Sequence, residues 1–189
     1  TYATQKNGSS PAVQMEDRTK LVFLEFAPSL SVEPVRGLRL GASYRFSTVE
    51  FQRQRLNKAD DFASPATVDL MMKGTNAQGW KVGAQYSAGP LDVGVVYRHR
   101  TDTTVHSDTG KLNGIAAKDI TYGFTLPSKL GAGVQYKLDA LRLALDVEYT
   151  WQSQNDTSTL KGTAEFGPQS IPNINKWQDN LTIRAGAGY

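Results

Sequence analysis

Two histidines and one pair of carboxylates are the residues of this chain that could carry chemistry. His99 and His106 could serve as metal ligands or as a general base. A zinc site needs three or four ligands at set spacing, and here no third ligand and no spaced carboxylate–His motif accompanies them. They read as solvated histidines at a strand end and in a loop. Asp146 and Glu148 resemble an acid pair, with Arg142 nearby. Two residues apart on a strand they share one face, and a ladder of solvated charges explains them better than acid/base catalysis. The chain has no Gly-x-Ser-x-Gly or P-loop pattern and no cysteine. The residues therefore point away from an enzyme, and no metal or other cofactor is expected.

The elements that carry these residues are set by composition and period. The chain has 189 residues and a net charge of +3, and 39% of it is hydrophobic. Mean hydropathy is −0.42. Such an average suits a soluble protein. It also suits membrane strands, whose apolar and polar faces cancel in the mean. No stretch approaches the roughly 20 apolar residues of a spanning helix. No basic segment followed by an apolar one opens the chain at Thr1, so no signal peptide is expected. The basic residues are dispersed rather than interleaved with aromatics, which argues against nucleic acid as a partner.

The informative signal is period two. Leu141, Leu143, Leu145, Val147, Tyr149 and Trp151 fall on one face of a strand, and Arg142, Ala144, Asp146, Glu148 and Thr150 on the other. The pattern recurs from Leu38, Trp80, Leu91, Leu130 and Leu181, and less cleanly from Val22, where Pro28 interrupts it. About seven strands follow: 20–32, 38–51, 79–88, 91–104, 127–138, 141–154 and 179–189. Glu33–Gly37, Gly89–Pro90 and Asp139–Ala140 read as tight turns. Long polar segments at 52–78, 105–126 and 155–178 read as loops. Short turns at one end and long loops at the other are the pattern of outer-membrane barrels.

A soluble sandwich or lipocalin-like barrel also alternates. Two features favour the membrane. Charges concentrate on one face: Arg39, Arg45, Lys81, Asp92, Arg98, Lys137, Arg142, Asp146, Glu148 and Arg184. These are expected to face a lumen. The opposite face carries Leu40, Tyr44, Val82, Tyr86, Val93, Tyr97, Val134, Tyr136, Leu143, Leu145, Tyr149 and Ile183, and is expected to face lipid. Its tyrosines would need buried partners in a sandwich core, whereas at a membrane interface they sit half wet. The expected fold is an all-β, antiparallel up-and-down transmembrane barrel. Tyr189 ends the sequence within a strand pattern. The expectation is therefore part of a larger barrel, or a small barrel with a further strand near Tyr2–Val13.

Specific motifs lie in the second half. The run FTLPSKLGAGVQYKLDALRLALDVEYTWQSQ, followed by WQDNLTIRAGAGY, resembles the outer-membrane long-chain fatty acid and hydrocarbon transport proteins of the FadL/TodX type. The matching positions are Leu126, Pro127, Gly133, Tyr136, Tyr149, Trp151, Trp177, Asp179, Arg184, Gly186 and Tyr189, and FAPSLSVEPVRGLRLGASYRF looks like an earlier hairpin of the same family. The resemblance runs loosely from Leu21 to Tyr189. It implies diffusion-based uptake of hydrophobic molecules across the bacterial outer membrane. It implies as partners outer-membrane lipid and lipopolysaccharide, a hydrophobic small-molecule ligand, and remaining barrel strands or a plug from outside this sequence. The family's N-terminal plug and final strand have no counterpart here, and no family ligand residue carries over. A general porin with a polar lumen is the alternative, and an outer-membrane esterase or protease a third.

Overall fold

The computed structural model describes residues 2–5, 13–58, 68–112 and 114–189. Among the described residues thirteen strands make one antiparallel sheet: β1 (Tyr2–Gln5), β2 (Val13–Phe26), β3 (Ser29–Val35), β4 (Leu38–Lys58), β5 (Val68–Ala88), β6 (Leu91–Arg98), β7 (Thr101–Leu112), β8 (Ile115–Leu126), β9 (Lys129–Leu138), β10 (Leu141–Thr150), β11 (Thr157–Ala164), β12 (Gly167–Ile174) and β13 (Asn180–Gly188).

These strands compose seven successive traverses of a meander. β2 runs on into β3 past Ala27–Pro28, β6 into β7 past His99–Arg100, and β8 into β9 past Pro127–Ser128. A 3-10 turn at Gln152–Asn155 lies between β10 and β11, and β12 leads to β13. β4 and β5 are unbroken at 21 residues each. Each traverse pairs with the next: β3–β4–β5–β6–β9–β10–β13 in the lower part, and β2–β4–β5–β7–β8–β11–β12 in the upper. β1 adds to β2.

The segments read as long loops are corrected by this arrangement. Strand covers 52–58 and 68–78 within the first, most of the second as β7 and β8, and the third as β11 and β12. Positions 59–67 lie outside the described residues. A membrane strand needs about 9–11 residues, so a 21-residue strand, about 70 Å long at roughly 3.3 Å per residue, runs well past the span.

The tight turns lie where the sequence places them. At the first, Gly37 has φ of 86°, and a Cβ there would stand 2.4 Å from the Ser87 carbonyl oxygen. Only glycine fits such a left-handed, closely approached position. The Ser87 amide donates to the Gly37 carbonyl at 2.8 Å, and the Gly37 amide to Glu33 Oε1 at 2.7 Å. Asp139 takes φ of 47° in the third turn.

The breaks form a row across the sheet. The Tyr44 amide donates to the Pro28 carbonyl at 3.1 Å, the His99 amide to the Trp80 carbonyl at 3.0 Å, and the Trp151 amide to the Ser128 carbonyl at 3.1 Å. Between them β5 bulges: Arg45 faces Gly79, but Ser47 faces Asn76. A bulge or break of this kind shifts which residues point to which face. Above the row the concave face gathers an apolar core of Val49, Leu70, Met72, Val105, Leu112, Ala117 and Ile120. Phe51 crosses it to meet Tyr122 and Phe124, with ring centroids 6.1 and 5.4 Å away.

Candidate functional site

Below the row of breaks the two faces differ in kind. Cross-strand partners form continuous rows. One runs Leu40, Ala84, Val95, Ala132, Val147, Ile183, and the next Leu38, Tyr86, Val93, Val134, Leu145, Ala185. All twelve residues expected to face lipid lie on this face. Its side chains are exposed: Leu145 is 45% accessible and Ile183 63%. The upper margin is aromatic. Tyr44 stands opposite Trp80, the Trp80 ring lies 5.4 Å from Tyr97, Tyr97 lies 6.3 Å from Trp151, and Trp151 5.0 Å from Tyr149. The Tyr44 hydroxyl donates to the Ala77 carbonyl.

The opposite face holds every charge expected in the lumen, and cross-strand register joins most of them. Asp92 accepts from Lys137 Nζ at 2.7 Å. Asp146 meets Arg184 Nη1 at 2.8 Å. Glu148 accepts from Lys129 Nζ at 3.0 Å and lies 3.7 Å from Arg184 Nη2. Arg39 lies 3.7 Å from Glu33. Arg45, only 3% exposed, pairs with Glu25, and its Nη1 donates to Thr101 Oγ1 at 3.4 Å. The acid pair Asp146 and Glu148 is thus divided among Arg184 and Lys129, on neighbouring strands, rather than served by Arg142. Lys129 and Glu25 belong to this network. The sequence reading passed over Lys129, whose partner is visible only once β9 and β10 are in register.

Between the charges runs a bare floor. Gly41 faces Gly83, Gly83 faces Val96, and Val96 faces Gly131; one rung below, Gly94 faces Gly133. Glycines keep this stretch low, with the Val96 side chain standing among them, and the sheet holds a groove of about 650 Å³ there, rimmed by Arg39, Lys81, Asp146, Glu148 and Arg184.

The histidines stand apart from this groove. His99 stacks on Trp80 at 4.8 Å within the aromatic margin. His106 Nε2 lies 2.8 Å from Asp108, on the upper strands. Among the described residues no group of three His, Cys, Asp or Glu could hold a metal ion. At the junction of β10 and β13, Asp179 accepts from the Tyr149 hydroxyl at 2.8 Å and from the Ser153 amide at 2.9 Å. Those hydrogen bonds, from Ser153 first and then Tyr149, hold the Asp179 carboxyl below the usual carboxylate range.

No family-level sequence profile matches the chain, and no curated protein matches it in sequence. Solved structures do match it in shape. The toluene transporter TbuX of Ralstonia pickettii superposes with a TM-score of 0.71 at 15% identity, over 97% of this chain and 63% of that one. The toluene transporter TodX of Pseudomonas putida gives 0.65 at 13%, over 94% and 52%. A FadL homologue of Pseudomonas aeruginosa gives 0.64 at 13%, over 93% and 52%. The chain spans between half and two thirds of the length of these structures. Its sheet, segregated faces and aromatic margin are those of an outer-membrane β-barrel wall, and the chain has the fold of the FadL-type transporters.

Proposed function

We propose that this chain forms part of the wall of an outer-membrane barrel that takes up hydrophobic molecules by diffusion, long-chain fatty acids or hydrocarbons among them. Its role is non-catalytic. The apolar face, from Leu40 and Tyr44 round to Leu145 and Ile183, meets outer-membrane lipid, with lipopolysaccharide at the aromatic margin. The charged face lines the lumen, where remaining strands or a plug complete the passage. The observation that carries the reading is the glycine-floored groove on the charged face. It leaves room for a ligand against a wall on which Asp92, Asp146 and Glu148 are taken up in ion pairs. The toluene transporters of the same fold support it.

A general porin is the second reading, favoured by the polar ladder of Asp92–Lys137, Asp146–Arg184 and Glu148–Lys129. Reconstitution of the full-length gene product in liposomes separates the two. Transfer of toluene or oleate into the vesicles with little steady ion conductance supports uptake of hydrophobic molecules. Large conductance with no such transfer supports the porin.

A further inference from the structure

Side chains of the concave face behave differently on the two sides of the row of breaks. Below it the ion pairs join adjacent strands only: Lys137 on β9 reaches Asp92 on β6, and Lys129 on β9 reaches Glu148 on β10. A Cβ at Gly94 or Gly133 on the floor would meet nothing nearer than 3.5 Å. Above the row, contacts skip strands. Leu70 on β5 and Ile120 on β8 converge over Gly110 of the β7 strand between them, where a Cβ would stand 2.8 Å from each. Phe51 on β4 reaches Tyr122 and Phe124 on β8, with β5 and β7 both in between. At the row itself Arg45 on β4 reaches Thr101 on β7 over Gly79, where a Cβ would stand 2.9 Å from the Arg45 Cβ.

Strands three places apart in a flat sheet stand about 14 Å apart, and rings rising straight from it would keep that separation. The wall is therefore curled inward above the breaks, and glycines on the intervening strands make the room. The curl is filled. Val49, Met72, Val105 and Ile120 have no exposed surface, and Phe23, Phe51, Tyr122, Phe124 and Leu160 pack against them. A constriction lined in this way sheds water, and an ion entering it would give up its hydration with no polar group in exchange.

We propose that this sector of the wall is itself a hydrophobic seal. Strands β4, β5, β7 and β8 curl over the upper end of the glycine-floored groove and bar water and ions from it, so that the barrier belongs to the wall rather than to a plug. The seal goes beyond the transport reading and holds whichever molecule the groove accepts.

The test is the current carried by the full-length protein in planar lipid bilayers bathed in potassium chloride. The unaltered protein is expected to show no steady open-channel steps. Phe51→Ala with Phe124→Ala removes the covering rings, and long-lived steps should appear as water enters. Heat-modifiable electrophoretic mobility confirms that the variant folds. Steady steps in the unaltered protein overturn the seal. So does a folded double variant that stays as closed as the parent, since the barrier would then lie elsewhere. If the double variant does not fold, Phe51→Ser alone, at a position only partly buried, is read by the same criterion. Toluene transfer into vesicles, measured alongside on the unaltered protein, separates the two readings: its absence overturns uptake of hydrophobic molecules and leaves the seal standing.

Discussion

The Tyr149 hydroxyl donates to the Asp179 carboxylate across 2.8 Å, tying the top of β10 to the residue before β13. The other Asp179 oxygen accepts from the Ser153 amide at 2.9 Å, at the 3-10 turn. One carboxylate thus fixes where the sixth traverse bends and where the seventh begins its descent. Because the folded carboxyl titrates below its ordinary value, the stability it contributes is present above the unfolded pKa and lost as pH falls through the folded one. The clasp should hold at neutral pH and open only in acid, below about pH 4. Hydrogen exchange of the Ser153 amide against pH checks this. In Asp179→Asn, exchange should be faster at neutral pH and should lose that acid step. Unchanged exchange in the variant would show that the carboxylate does not hold the turn.

Leu145 and Asp146 are neighbours on β10 with opposite facings. Leu145→Arg would place a charge in the apolar band, at a cost of about 2–4 kcal/mol near the midplane. Asp146→Arg loses an exposed pair with Arg184 and sets two cations side by side, at a cost of about 1 kcal/mol. Urea titration of refolding into lipid vesicles measures both. Equal costs would mean that the two faces do not have the solvents assigned to them.

Arg45 is buried and Glu25 is its carboxylate partner. Glu25→Ala leaves that guanidinium buried and unpaired, and should cost about 3–5 kcal/mol, the usual penalty for breaking a buried pair from one side. Replacing both residues, Glu25→Leu with Arg45→Met, should restore much of the loss. A single variant as stable as the parent would mean that water reaches Arg45.

Upper hairpin tips should be open to protease on intact cells. Phe166 is 79% exposed at the tip between β11 and β12, and chymotrypsin added outside should cut there. The turns at Gly89–Pro90 and Asp139–Ala140 should survive until the membrane is permeabilised. Cleavage in the reverse order would invert the topology.

Most of the lower half of the sheet was legible in the sequence because one rule holds there with little interruption, the shift between Val32 and Val35 in β3 apart. From Leu141 to Thr150 every second residue is apolar and no bulge intervenes. The upper half obeys the same rule in short pieces. Ile120, Tyr122 and Phe124 alternate with Thr121 and Gly123 as plainly as any lower strand. The breaks at His99–Arg100 and Pro127–Ser128 shift the phase on either side, however. Arg98 and Thr101, three apart, then share the concave face, and a window spanning the break averages the pattern away. Threonine, serine and lysine on the other face completed the likeness to loops. Cross-strand pairing was not legible at all. That Lys129 serves Glu148 depends on register, which the alternation of a single strand does not contain.

The row of breaks also divides the molecule thermally. On the proposed reading, apolar side chains below it leave the sheet outward into hydrocarbon, and unfolding within the bilayer would expose little of them to water. Above it, Val49, Met72, Val105 and Ile120 are packed inward, away from an aqueous exterior, and unfolding there hydrates apolar surface. Only the upper half should therefore contribute the large positive heat-capacity change that marks water-soluble domains. Melting of that half should weaken on cooling as a soluble core does, while the same strands, a few residues lower, obey the lipid.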